Sequence, residues 1–169
     1  MTLARRGDVV LRRFHAGDAA AFHAIRTDPD LARYQGWSVP TPDEARHAVA
    51  AMADAPAFPP GEWWQVAIAD PADDGLLGDL GLHLSADGTE LELGITLARH
   101  AQGRGRAGRA IAAAANLVFA ETPARRIVLI TDARNAPMRA VLRRMGLAPV
   151  DTIHELGVPE LVFHLPRPA

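Results

Sequence analysis

Along this chain the spacing of apolar residues switches between two periods, and each switch marks a change of element. Val9 to Phe14 reads as a short strand, and a helical stretch follows from about Asp18 to Thr27, ending before Asp28-Pro29. Thr41-Pro42-Asp43-Glu44 joins a capping box to a proline at the first helical position, and Ala45, Ala48, Val49 and Met52 continue at helical spacing. A second helix is therefore predicted. After the breaker run Ala55 to Gly61 the period drops to two. Trp64, Val66 and Ile68 alternate with Trp63, Gln65 and Ala67, and the strand stops at Asp70-Pro71. Leu76 to Leu84 is the next strand, with Leu80, Leu82 and Leu84 on one face. Ser85-Ala86-Asp87-Gly88 turns the chain into a third strand, Glu90 to Leu97, whose apolar side is Leu91, Leu93, Ile95 and Leu97. Three sequential strands with short connections predict an antiparallel meander.

The second half changes character. A helix is expected from about Gly105 to Ala120, with Ile111, Ala114, Ala115 and Val118 inward, then a solid apolar run, Ile127 to Ile130, that suits a strand buried on both faces. Met138, Val141, Leu142 and Met145 mark a further helix from about Ala136 to Met145, stopped by Gly146, with core packing as their role. Two closing strands, about Val150 to Glu155 and Glu160 to Leu165, end the chain. No repeat or linker interrupts it, so residues 1–169 are read as one α/β domain with a mixed sheet.

Composition narrows the class. The 169 residues are 49% hydrophobic and 22% charged with no cysteine, which excludes disorder and disulfide scaffolds. No stretch approaches the roughly 20 apolar residues of a membrane span, and Met1 to Gly7 lacks the apolar core of a secretory signal, so no membrane association and a cytoplasmic location are expected. A net charge of −2 argues against a general nucleic-acid binder. The charge is uneven, however. Residues 99–144 hold ten arginines against Glu121 and Asp132, a local +8, and the remainder of the chain sums to −10. An anionic ligand near that segment is one reading; solvated helix faces are the other.

The chemistry concentrates in His100-Ala101-Gln102-Gly103-Arg104-Gly105-Arg106-Ala107-Gly108-Arg109, between the third strand of the meander and the helix after it. A glycine-rich loop opening a helix presents free backbone N–H groups at the positive end of the helix dipole, a general solution for binding phosphate. Gly103, Gly105 and Gly108 also spell a dinucleotide-binding fingerprint, with Asp132 at the end of the next strand. Against that reading, five residues separate Leu97 from Gly103, and an antiparallel meander precedes the loop where further βαβ units belong.

The same residues resemble another pattern more closely. Gln102-Gly103-Arg104-Gly105-Arg106-Ala107 is similar to the Q/R-x-x-G-x-G/A motif with which GNAT superfamily acetyltransferases bind the pyrophosphate of acetyl-CoA. The order of segments resembles the GNAT order over nearly the whole chain. Asn135-Ala136-Pro137 and Arg143-Arg144-Met145-Gly146-Leu147 look like further family segments. Val9 to Phe14 and Arg33-Tyr34-Gln35-Gly36-Trp37 look most like the Rim-type branch, which contains the ribosomal-protein N-terminal acetyltransferases. The resemblance implies a GNAT-like mixed sheet: an N-terminal meander, a central acetyl-CoA-binding βαβ segment and helices on both faces.

It also implies a division of labour. Acetyl-CoA lies in a gap between the third meander strand and Ile127 to Thr131, its pantetheine pairing with the backbone of Ile95, Thr96 and Leu97, its pyrophosphate on Gln102 to Ala107, and Asn135 fastening the arm. The thioester carbonyl is expected against a backbone N–H near Ile95 or Thr96, where the family usually carries a strand bulge. Transfer needs a neutral amine, and Glu92, on the non-leucine face of its strand, is the candidate base; the bland alternative is a solvent-facing glutamate. The position where many relatives carry an acidic tyrosine, seven after the asparagine, is Leu142, and Met138 stands where the Rim-type branch often has serine, so no general acid carries over.

Tyr34 and Trp37 are expected to line the acceptor groove, with Trp64 facing the interior. His83 and His154 are alternative bases, although packed or surface roles suit both, and His154-Glu155 lacks the second histidine of a zinc helix, so no metal is expected. The reading is an acetyl-CoA-dependent N-acetyltransferase acting on a protein N-terminus or a small amine; GNAT relatives are often homodimers. A catalytically degenerate CoA-binding sensor is the alternative from another class.

Overall fold

In a computed structural model, which describes residues 1–154 and 157–169, eight strands form one sheet in the order β1-β2-β3-β4-β5-β6-β8-β7. The strands are β1 (Thr2–Arg6), β2 (Val9–Arg12), β3 (Trp63–Ala69), β4 (Leu76–Leu84), β5 (Glu90–Leu97), β6 (Arg126–Asp132), β7 (Pro149–Ile153) and β8 (Glu160–Pro166). The helices are α1 (Ala19–Thr27), α2 (Pro29–Ala32), α3 (Pro42–Asp54), α4 (Arg106–Glu121) and α5 (Ala136–Arg144). Only β5 and β6 pair in parallel, across the α4 crossover; every other neighbour is antiparallel.

The meander and its register follow the alternation. Leu80, Leu82 and Leu84 stand opposite Ile95, Leu93 and Leu91, so one face carries an unbroken row of apolar side chains. With Leu11, Trp64, Val66 and Ile68 they pack against Ile111, Ala114 and Val118 of α4 and Leu142 of α5. The opposite face carries Ala67, buried with Phe14, Phe22, Ile25, Ala45 and Val49 under α1 and α3. The start of α3 is closed as its sequence indicates. Thr41 Oγ1 accepts from Glu44 N–H at 3.2 Å and Glu44 Oε2 accepts from Thr41 N–H at 2.7 Å.

Four expectations change. Thr2–Arg6 is a strand, hairpinned onto β2 through Gly7 in the left-handed region; as an exposed edge it has little apolar alternation to betray it. A single turn of helix, α2, follows Asp28-Pro29, because the Asp28 carboxylate caps it and proline suits a first turn. Ile127–Ile130 is not buried on both faces: Ile127 and Leu129 are, but Val128 and Ile130 are half-buried, since α4 and α5 lie together on one side of β6. Nor does β5 bulge at Ile95 or Thr96: the β4–β5 ladder runs in step from Gly78–Leu97 to Leu84–Leu91, so Glu90, Glu92, Gly94 and Thr96 keep one face throughout. Of the closing strands, the expected Glu155 lies outside the described residues.

Candidate functional site

The sheet's one parallel seam is short. Glu90, Leu91 and Glu92 of β5 ladder with Arg126, Ile127 and Val128 of β6, and beyond that rung each strand stays paired only on its far edge, β5 with β4 to Leu97 and β6 with β8 to Asp132. Among the described residues no rung joins Leu93–Leu97 to Leu129–Asp132. The two strands therefore face each other with bare backbone edges across a gap. Ile95 and Leu97 send their side chains to the α4 side and Thr96 is buried on the α1 side beside Asp79, so all three offer the gap main chain alone.

At the open end of the gap the chain enters the glycine loop. Gln102 folds back, its Nε2 donating to the Leu97 carbonyl at 2.9 Å, and so pins the loop to the strand end. Gly103 and Gly105 take φ of 75° and 73°, a left-handed conformation that disfavours other residues. Gly105 is the N-cap of α4 and has no side chain to close it, so the N–H groups of Arg106, Ala107 and Gly108 have no acceptor within the helix. Arg104 is exposed at the loop tip. Arg106 is not: its guanidinium is buried against Asp8 at 2.9 Å and Asp70 at 3.0 Å, and Arg106 is the main cause of Asp8 lying below the ordinary carboxylate range. What Arg106 presents to the loop is its backbone N–H. A groove of about 390 Å³ beside this helix start is lined by Arg6, Arg109 and Arg144, of which Arg109 is paired with Asp8 at 2.7 Å.

Across the gap, Asn135 begins α5, its Oδ1 accepting from Met138 N–H at 3.2 Å, which leaves the amide N–H₂ as a donor. Leu142 is fully buried, so this helix presents no acid at that position.

Glu92 stands on the last rung of the seam. Register puts it beside His83, and His83 beside Trp63, all on the α1 face. Trp63 is 49% exposed, its ring 5.2 Å from that of His83, and a Cβ on Gly81 would stand 3.1 Å from the indole. Gly94 beside the gap has nothing within 4 Å of where a Cβ would be. Trp63, His83, Glu92 and the exposed Gly94 thus border an open stretch of this face, while Gly81 is buried beneath the Trp63 ring.

The segment after α1 closes over the wide end. Asp28 accepts from Arg99 Nε at 2.6 Å and Nη2 at 2.7 Å, Arg99 also pairs with Asp30, and these contacts hold Asp28 down to about 2. Six residues on, the Tyr34 hydroxyl donates to the Arg134 carbonyl at 3.4 Å. Arg134 is itself fixed by Asp132 at 2.6 Å, which holds Asp132 down to about 2. Arg99 follows β5 and Arg134 follows β6, so the segment spans the mouth of the gap like a strap.

Its far side returns to the sheet through Trp37, whose ring lies 4.2 Å from the Arg26 guanidinium; Phe22 lies 4.4 Å away, and Arg26 Nη2 meets Asp79 Oδ1 at 2.9 Å. Burial pushes the Asp79 carboxyl up despite Arg26. Among the described residues, Arg26 Nη1, Asp79 Oδ2 and Trp37 Nε1 are buried without a hydrogen-bond partner.

Several expected residues do meet: Ile95, Thr96, Leu97, the glycine loop and Asn135 surround one gap, with Glu92 at its apex and Tyr34 at its mouth. Trp64 faces the interior at 1% exposure. Trp37, expected toward the acceptor, packs on Arg26, and the outward indole is Trp63, which strand alternation alone indicated once Trp64 was inward. The strap and the Arg26–Asp79 pair join residues 53 to 100 positions apart and left no local signal. Neither dinucleotide feature is filled: Gly108 has room for a Cβ, with Met145 3.9 Å away, and Asp132 is taken by Arg134.

Among the described residues no group of three or more His, Asp or Glu gathers as a metal site, and no helix is long and apolar enough to cross a membrane. No curated protein matches the sequence significantly. Solved structures do. A GNAT-family acetyltransferase from Bacillus anthracis superimposes with a TM-score of 0.82 at 19% identity, covering 98% of both chains. RimL, a ribosomal L7/L12 alpha-N-protein acetyltransferase in complex with coenzyme A, gives 0.80 at 16% identity, again over 98% of both. A spermidine N-acetyltransferase from Vibrio cholerae, in complex with CoA and spermine, gives 0.79 at 17% identity over 95% of this chain and 96% of that one. The acetyltransferase (GNAT) domain model matches residues 8–148, and the chain belongs to that family of acetyltransferases.

Proposed function

We propose that this acetyltransferase moves an acetyl group from acetyl-CoA directly to a primary amine. The observation that carries the reading is the gap, whose two bare strand edges end at an uncapped helix start. Pantetheine, with its two amide groups, suits the edges of β5 and β6, and its pyrophosphate suits the N–H groups of Arg106, Ala107 and Gly108 with Arg104 nearby. Gly103 and Gly105 let the backbone approach, Gln102 holds the loop, and Asn135 is free to donate to the arm. Arg6 and Arg144 supply charge for the remaining phosphate. CoA complexes among the structural relatives support the cofactor, and the spermine and ribosomal-protein relatives support an amine acceptor.

The acceptor amine enters over Trp63 and Gly94, beneath the strap that carries Tyr34. Glu92, at the apex, takes its proton directly or through water. Backbone N–H groups of β5 near Ile95 and Thr96 polarise the thioester carbonyl. A CoA-binding protein without turnover is the competing reading, since Leu142 removes the usual acid.

Calorimetric titration with acetyl-CoA tests the cofactor, and Gly105→Glu is the control that sets a carboxylate in the cradle. Binding in the parent chain and its loss in the variant are expected, followed by thiol release with a panel of primary amines. Absence of acetyl-CoA binding would sink the proposal.

A further inference from the structure

Gly103 and Gly105 give the loop before α4 its shape but carry no side chain with which to hold it. Its anchors are the two residues that flank it. On the strand side Gln102 is pinned to the Leu97 carbonyl. On the helix side the anchor is Arg106, the first residue of α4, whose side chain is only 8% exposed. Its Nε donates to Asp8 Oδ2 at 2.9 Å and its Nη2 to Asp70 Oδ2 at 3.0 Å, so one guanidinium joins the β1–β2 turn, the end of β3 and the helix start. Both carboxylates are themselves fixed. Asp70 Oδ1 accepts from Ala72 N–H at 3.0 Å, and Asp8 Oδ1 lies 2.7 Å from Nε of Arg109, about one turn further along α4.

Charge alone does not account for this cluster. Two carboxylates behind a cradle for phosphate oppose the anion, and hydrocarbon of similar volume fills such a place about as stably as ions do. What the ions add is direction. The planar fork of Arg106 meets two acceptors in fixed geometry, and its Cα, with the N–H groups that follow, is fixed with it. Resting on the acetyl-transfer reading above, we infer that Arg106, Asp8 and Asp70 are positioning residues: they set the affinity for the pyrophosphate of acetyl-CoA through the backbone at the start of α4, and their side chains do not touch it. Donor affinity then depends on two hairpin turns that lie away from the gap.

The effect has the opposite sign to the one that charge predicts. In Asp8→Asn or Asp70→Asn a negative charge is lost near the phosphates, which by Coulomb attraction alone tightens acetyl-CoA. Each carboxylate sets both oxygens against donors, so an amide in its place turns an N–H₂ group on one of them and loosens Arg106.

The test compares two donors, acetyl-CoA and S-acetylpantetheine, which ends before the pyrophosphate. Affinity is read by calorimetry, and turnover by thiol release with a primary amine. In each variant Kd and KM for acetyl-CoA are expected to rise about tenfold, the equivalent of one charge-assisted hydrogen bond, with kcat at saturation and KM for S-acetylpantetheine unchanged. Unchanged or tighter acetyl-CoA affinity would overturn the assignment. So would an equal loss with both donors, because a general loss of structure spares neither. A parent chain that binds no acetyl-CoA overturns the acetyl-transfer reading and the assignment with it.

Discussion

The two faces of the sheet are built from different materials. Under α4 and α5 the interior is hydrocarbon apart from the buried Trp64 indole N–H, with Leu11, Trp64, Leu80, Leu82, Leu91, Ile111 and Ile127 fully or almost fully buried. Under α1 and α3 a smaller apolar cluster shares the face with ions: Arg12 binds Asp18 at 2.7 Å and Asp74 at 2.7 Å, and Arg26 binds Asp79. The first face needs only volume and pattern to form. The second needs directional contacts between residues far apart in sequence, which seat a strap over the gap. A uniform core makes the frame, and a polar one sets the position of the site.

Cutting into the polar face should be the most damaging. Asp79→Ala leaves Arg26 buried without its carboxylate and is expected to cost about 3–5 kcal/mol in urea unfolding. Pairing Asp79→Leu with Arg26→Met should restore most of that stability while leaving Trp37 without its cation, so turnover should stay low as stability returns. Equal recovery of both would show that the pair does not place the strap. On the apolar face, Leu82→Ala should cost about 2–5 kcal/mol, with residual activity tracking the folded fraction.

Glu92→Gln addresses the chemistry: turnover should fall about 10²-fold while acetyl-CoA affinity holds. Unchanged turnover would remove Glu92 as the base. The smallest effect is acid release of the strap. Asp28 and Asp132 are both held down to about 2, below the ordinary value of 3.8, so their contribution is complete above about pH 4 and is lost as pH falls toward 2. Carboxyl NMR titration should show both midpoints near that value, and midpoints at the ordinary value would mean that neither the Asp28–Arg99 pair nor the Asp132–Arg134 pair is formed.

The same contrast explains what the sequence revealed. Leu80, Leu82 and Leu84 against Leu91, Leu93 and Ile95 declare their face because each strand alternates on its own, and the capping box of α3 is complete within four residues. Gly103 and Gly105 were legible because a left-handed turn at a helix start needs glycine. Arg106 misled: its charge suggested phosphate, but Asp8 and Asp70 arrive from other loops to claim it. Tyr34 was placed near the acceptor but not over the gap, since its partner lies 100 residues away. Strand β1 stayed hidden because its two packed residues, Leu3 and Ala4, are adjacent and its arginines exposed, so no period of two shows.

The three rungs between β5 and β6 give the sheet an uneven mechanical texture. Five strands on one side and three on the other behave as two rafts laced at one end, with α4 as the tie that crosses the seam. A chain segment lying between them would act as a ninth strand and splice the rafts into one continuous plate. An occupied gap should therefore slow amide exchange along Leu93–Leu97 and raise the force at which the domain comes apart, as a keystone stiffens the arch it completes.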